Sequence, residues 1–255
     1  MISIHIDHGN PMNTLLDNPF TQAMKTLGMS MKKPKKIIIL SAHWLTEGEG
    51  VEIGSHPEPP MIYDMHGFPP ELYEVQYGVN TDSEDMSKLS EILSKNGIQN
   101  IFNEKRGIDH GVWSVLIHLF PNAEVPIIPI SVNYDANPEF HFELGKILAE
   151  HFDDNTLFIS SGNIVHNLSR IDWDGSRTPQ WAGEFDTKVE EIAKNRDRKK
   201  IIDYKNIPGS SISVPTPDHF YPFISFIGAS EERAIESLYN GFELGSISTR
   251  IYKNF

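Results

Sequence analysis

The 255-residue chain carries 22 Lys and Arg against 35 Asp and Glu, a formal charge of −13, and contains no cysteine. That acidity offers no footprint for a nucleic-acid backbone, and the missing thiols exclude disulfides, thiolate metal ligands, iron–sulfur clusters and a Cys nucleophile. No apolar run reaches the roughly 18 residues of a membrane span; the N-terminus lacks the basic and long apolar regions of a signal peptide, so a cytoplasmic protein is expected.

The chain opens with a short apolar strand over Ile2–Ile6. Lys36–Ser41 reads as a second strand, its consecutive branched residues suiting burial on both faces. Asp82 or Ser83 can cap a helix with Met86, Leu89 and Leu93 on one stripe, ended by Gly97. Val112, Val115, Leu116, Leu119 and Phe120 form a second helical stripe closed by Pro121, with Asp109 as a candidate N-cap. Pro126–Ser131 reads as a strand. Asn137-Pro138 is a cap followed by a first-turn proline, and Phe140, Leu144, Ile147 and Leu148 continue at helical spacing. Thr156–Ser161, Pro222–Gly228 and Ser246–Tyr252 complete the predicted strands. The basic clusters at Lys32–Lys36 and Lys194–Lys200 read as solvated charge beside apolar segments. With no internal repeat and no linker, the pattern predicts one α/β domain over residues 1–255. A mostly parallel central sheet would be covered by helices on both faces.

The eleven histidines matter by position. His8 and His43 each follow a predicted strand by two residues, and His166 lies in a loop five residues beyond Ser161. Open α/β sheets build their sites outside the carboxyl ends of strands. His219 sits in Pro215-Thr216-Pro217-Asp218-His219, where two prolines stiffen the loop ahead of a predicted strand. A lone histidine at a strand end is more often a hydrogen-bonded structural residue than a ligand. Four of them in Gly- or Pro-shaped loops weaken that reading, and the pattern supports a metal site of imidazole nitrogens but does not prove convergence. His141 and His151 fall on the helix after Pro138, the latter complementing its C-terminal dipole, and His118 falls on the polar side of the Val112 helix. His5 and His56 lack a supporting pattern. His66, in the aromatic Tyr63–Pro69 loop, is a candidate cleft residue. There is no GxGxxG, P-loop, HExxH or GxSxG motif.

Several segments nevertheless resemble one family. Asp7-His8-Gly9-Asn10-Pro11-Met12-Asn13 is similar to an HGSPMN motif, Ser41-Ala42-His43-Trp44 to SAHW, and Asp109-His110-Gly111-Val112-Trp113 to DHGxW. Ser161-Gly162-Asn163-Ile164-Val165-His166-Asn167-Leu168 is similar to SGNxVHNL, Thr216-Pro217-Asp218-His219 to TPEH, and Gly245-Ser246-Ile247-Ser248 to a GS(I/L)S tail. In this order, over nearly the whole chain, they resemble the class III extradiol ring-cleavage dioxygenases of subunit-B type, in the branch of 4,5-DOPA extradiol dioxygenase-like proteins. The resemblance implies His8, His43 and His219 as metal ligands. It implies His166 as the acid/base and a possible fourth ligand, and His110 as a residue that orients substrate or dioxygen. Departures touch the pocket: Asn10 replaces a usual Ser, Asp7 a common Gly, and His66 a frequent Gly. Phe220 stands where Tyr is frequent, with Tyr221 adjacent.

The implied activity is cleavage of a catechol ring with O2 at a mononuclear non-haem Fe(2+). The partners would be a small aromatic diol and O2; no membrane or nucleic-acid partner is expected. His166 would accept a catechol proton and return it as the ring opens, and the ordinary histidine pKa of about 6.5 suits both tasks. Three neutral imidazoles also suit Zn(2+), so a zinc hydrolase using metal-bound water is an alternative. A non-catalytic metal-binding module of the same fold is another. His66 and Tyr221 are expected to contact substrate, and Arg106 and Arg250 are candidates for a substrate carboxylate.

Overall fold

The computed structural model describes residues 1–81, 83–174 and 177–255. Its strands are β1 (Ile2–Asp7), β2 (Lys36–Thr46), β3 (Val51–Gly54), β4 (Asn100–Asn103), β5 (Ile127–Asn133), β6 (Thr156–Gly162), β7 (Ile235–Glu243) and β8 (Ile247–Asn254). They form one sheet in the order β4-β3-β5-β2-β6-β1-β8-β7. The central run β5-β2-β6-β1 is parallel, β3 joins β5 antiparallel, and β8 and β7 extend the far side antiparallel.

The helices are α1 (Pro19–Ser30), α2 (Pro70–Tyr73), α3 (Ser83–Lys95), α4 (His110–Leu119), α5 (Pro138–His151), α6 (Gln180–Asn195), α7 (Arg198–Ile202), α8 (Ser210–Ser213) and α9 (Tyr221–Ala229). Side chains alternate across a strand, so Ile37 and Ile39 face one layer while Ile38 and Leu40 face the other. The first pair joins the core under α1 and α4, and the second joins the core under α3, α5, α6 and α9. Burial on both faces is why the central strands read as unbroken apolar runs. The chain is therefore an α/β domain of three layers with a mostly parallel sheet, as the sequence predicts.

Local signals act as their chemistry dictates. Asn137 accepts a hydrogen bond from the Phe140 amide at the start of α5. Gly97 adopts φ +79° just after α3, and the Ile98 amide reaches back to the Leu93 carbonyl. Of the two candidate caps for α3, Asp82 lies outside the described residues and Ser83 is the first helical residue.

Three expectations need correction. The segment Pro222–Gly228 is not a strand but the body of α9, with Pro222 in its first turn and every residue buried. Such an all-apolar run carries no period to separate helix from strand, and packing of α9 against α5 and β6 decides it. His43 does not follow its strand but lies inside it. β2 continues past Ser41 and pairs again with β5 at Leu45 and Thr46 after a register shift. His118 is not on a polar face: α4 is buried nearly all round, and the His118 Nε2–H donates to the Asn13 carbonyl at 3.0 Å.

Candidate metal centre

The parallel strands deliver their carboxyl ends to one edge of the sheet, and the histidines gather there. His8 follows β1 directly, with its amide on the Gly162 carbonyl at 3.0 Å. Gly9 takes φ +66°, a left-handed turn that glycine adopts without steric cost. His43 projects from β2, and His110 opens α4 close beside it. A Cβ on Gly111 would lie 2.4 Å from the Ser41 hydroxyl, so glycine is what lets α4 approach β2. His166 sits on the loop after β6, its amide bonded to the Ser213 carbonyl. His219 precedes α9.

Ring centroids of His8 lie 4.9 Å from His43, 5.3 Å from His110 and 5.4 Å from His219. His43 and His110 are 3.9 Å apart, and His166 stacks on His219 at 3.6 Å. Ligand nitrogens of His8, His43 and His110 all lie within 4.8 Å of one another. All five rings line one cleft of about 580 Å³.

The hydrogen bonds behind the rings determine which nitrogen faces the cleft. Ser161 donates its hydroxyl proton to the Gly111 carbonyl at 2.6 Å, so its oxygen accepts from His8 Nδ1–H at 3.0 Å. Asp64 takes His110 Nδ1 on one oxygen at 2.9 Å and lies 3.0 Å from His43 Nδ1 with the other. Asp218 holds His219 Nδ1. Each Nδ1 therefore points at an oxygen, which leaves Nε2 as the lone-pair nitrogen, the arrangement found behind metal-bound imidazoles.

Two observations test whether a cation fits. The His8 and His43 Nε2 atoms face each other at 3.1 Å, while the Nδ1 atom of each ring points at an oxygen. Nitrogens held about 2.0–2.1 Å from one ion are separated by roughly 2.9–3.4 Å. In addition, His219 Nε2 is buried without a hydrogen-bond partner. The donor set fits a divalent metal ion.

Charge states agree. Burial, followed by repulsion from the neighbouring imidazoles, holds the His8 pKa well below the ordinary histidine value. Burial also lowers His110, His166 and His219, against the opposing pull of Asp64 on His110 and of Asp218 on His219. Burial raises the Asp64 carboxyl, but hydrogen bonds from His110 and His43 outweigh it and the net shift is strongly downward. Asp218 behaves alike through His219. His110 and His219, neutral and each backed by a carboxylate, are ready to bind a cation without first losing a proton.

Beneath the ligands lies a buried network that sequence reasoning missed. Asp7 accepts from His5 Nε2 at 2.8 Å, from the Ile164 amide at 3.2 Å and from the Ser248 hydroxyl. It ties the end of β1, the start of β8 and the loop leading to His166. Asp64 was also missed, because nothing in its aromatic loop marks it as the partner of histidines 21 residues upstream and 46 downstream. Asp218 had a signal: an acid directly before His219.

Other expected residues fall elsewhere. His66 is exposed and does not line the cleft, whereas its loop neighbours Met65 and Phe68 do. Tyr221 is buried and stacked on His141 at 4.0 Å, away from the wall. Asp109 takes the N-cap position of α4 without a capping bond; its carboxylate instead receives the Ser41 hydroxyl and the Arg106 guanidinium at 2.6 Å each. Arg106 is thus committed, and Arg250 is held by Asp186 and Glu190. Neither faces the cleft.

Known proteins resemble this chain over nearly its whole length. Residues 7–252 match the family model described as the catalytic LigB subunit of aromatic ring-opening dioxygenase. The chain belongs to this class III extradiol dioxygenase family. It is 34% identical over 253 residues to a 4,5-DOPA dioxygenase extradiol of Escherichia coli K12, covering 97% of this chain and 92% of that protein. It is 31% identical over 255 residues to the Beta vulgaris protein of the same name, covering 97% and 94%. A crystal structure of an uncharacterized protein from Escherichia coli K12 superposes with a TM-score of 0.85 at 28% identity, covering 99% of each chain. No described helix is long and apolar enough to cross a membrane.

Proposed function

We propose that this LigB-family chain is an extradiol dioxygenase that opens the ring of a catechol-type diol with O2 at a mononuclear metal centre. The observation that carries the reading is the convergence of Nδ1-anchored imidazoles, lone pairs inward, at the floor of an apolar cleft. His8 and His43 would supply two ligands. We assign the third to His219, whose buried Nε2 lacks any other partner, and give His110 an orienting role at the α4 terminus. When bound, Fe(2+) would act as a Lewis acid toward the diol oxygens and bring the ring and O2 to one place; the same donor set suits Zn(2+).

The remaining chemistry belongs to the chain. His166 is kept neutral by burial and stacked against His219, so a free ring nitrogen can take a proton from a diol hydroxyl and return it as the ring opens. His110 is fixed at both its backbone amide and Nδ1 by Asp64, which leaves the Nε2 lone pair to accept from a ligand in a set direction. Met65, Phe68, Leu244 and Ile247 in the wall keep water from the aromatic ring.

The test is anaerobic loading with Fe(II), then addition of catechol, DOPA or protocatechuate with air, following oxygen uptake and the yellow ring-opened product. Iron-loaded protein that consumes no oxygen with any catechol would sink the reading. Oxygen-independent ester hydrolysis by the zinc form would replace it. His166→Ala should keep its metal and lose turnover by ~10²–10⁴-fold; unchanged turnover would remove His166 from the mechanism.

A further inference from the structure

The cleft of about 580 Å³ falls within the ~300–1,000 Å³ typical of sites for drug-sized ligands, more than a bare catechol ring needs. Among the described residues its wall contains no Lys or Arg, and its only carboxylates are Asp64 and Asp218. The two arginines that sequence reasoning offered for a carboxylate are bound to Asp109 and to Asp186 and Glu190. The outer wall is apolar and open to solvent: Trp173 is 79% exposed and Leu168 60%, with Ile171 and Phe68 beside them. Large apolar side chains left exposed around a cleft mark a surface that a ligand covers.

We propose that this cleft selects catechols bearing an uncharged apolar substituent and discriminates against those bearing a carboxylate. The inference rests on the ring-cleavage reading only in placing the diol against the histidines. With the ring seated there, its substituent projects along the wall toward Leu168 and Trp173. An alkyl or aryl group gains by covering those side chains. A carboxylate in the same place loses hydration, meets no Lys or Arg among the described wall residues, and shares the cleft with Asp64 and Asp218.

A matched pair tests this: propylcatechol and dihydroxyphenylpropionate share ring and chain and differ in the terminal carboxylate. Dissociation constants are measured anaerobically by calorimetry on the iron-loaded protein, and kcat/KM by oxygen uptake. Propylcatechol should bind and turn over better by about tenfold or more, and the methyl ester of the propionate should recover most of the loss. Trp173→Ala should narrow the gap by weakening propylcatechol, while Leu168→Lys should narrow it by strengthening the propionate. Equal or tighter binding of the propionate overturns the proposal, as does tighter binding of dopamine than of propylcatechol, which would make the two acids rather than the apolar rim the selecting feature. Absence of oxygen uptake with every catechol while the binding order holds removes the ring-cleavage reading and leaves the selectivity supported.

Discussion

Histidines in this molecule fall into two regions that differ in the direction of their ring nitrogens. His118, His141 and His151 are spent on single backbone carbonyls, of Asn13, Asn133 and Ile147. His5 bridges Asp7 and Ser160. At the sheet edge, His8, His43, His110 and His219 are also anchored, but by Nδ1, with Nε2 turned toward a shared space. His141 shows why one free nitrogen means little: its buried Nδ1 lacks a partner too, yet it stands alone against Tyr221. Every neutral imidazole has one lone-pair nitrogen. Several aimed at one point repel one another, and a bound cation removes that cost.

The largest effect expected from breaking this contrast is in metal content. His8→Ala should abolish stoichiometric iron or zinc after reconstitution, measured by elemental analysis, whereas His118→Ala should bind metal like the parent. Equal metal content in the two variants would erase the distinction between the regions.

Asp64 offers a finer cut. It serves two rings at once, so Asp64→Asn replaces one of its acceptor oxygens with a donor that faces an N–H. Metal affinity should fall by ~10–100-fold, as for other groups that orient metal-binding histidines, and competition with a chelator reads it directly. A wild-type affinity would mean that the rings are held by packing alone.

The smallest effect belongs to the structural set. Burial pushes His141 from 6.5 down to about 3, against the opposing hydrogen bond to the Asn133 carbonyl. The unfolded chain then takes up this proton before the folded one does. The contribution is whole above the unfolded value and is lost as pH falls from 6.5 toward 3, at roughly 1.4 kcal/mol per pH unit in that window. His141→Gln, which keeps an N–H donor but cannot titrate, should flatten the acid limb of metal-free stability by that one proton's worth in urea unfolding at pH 7, 5.5 and 4.5. An unchanged acid limb would show that His141 is protonated in the folded state.

The central strands and the capped helices were legible because their signals are local. Ile37-Ile38-Ile39-Leu40 reads as a doubly buried strand from composition alone, and Asn137-Pro138 announces its helix through side-chain chemistry. The α9 segment was not legible, since an apolar run buried on all sides has no polar face to reveal its period. Likewise, the helical spacing puts His118 on a polar face because the sequence does not show that Asn13 closes over it. At the site, motif order identified His8, His43, His110, His166 and His219 as residues of interest. Asp64 and Ser161 became visible as their supports only once strands distant in sequence lay side by side.

From the sequence alone came the α/β class, the candidate histidines and the family they resemble, because side-chain type, periodicity and motif order survive in one dimension. Only the tertiary structure decided which nitrogen of the anchored rings faces inward, that Arg106 and Arg250 are already paired, and that the outer cleft wall is largely apolar and, among the described residues, without Lys or Arg. Those properties depend on the directions of side chains brought together from β1, β2, β6 and the starts of α4 and α9, and direction is what chain order does not encode.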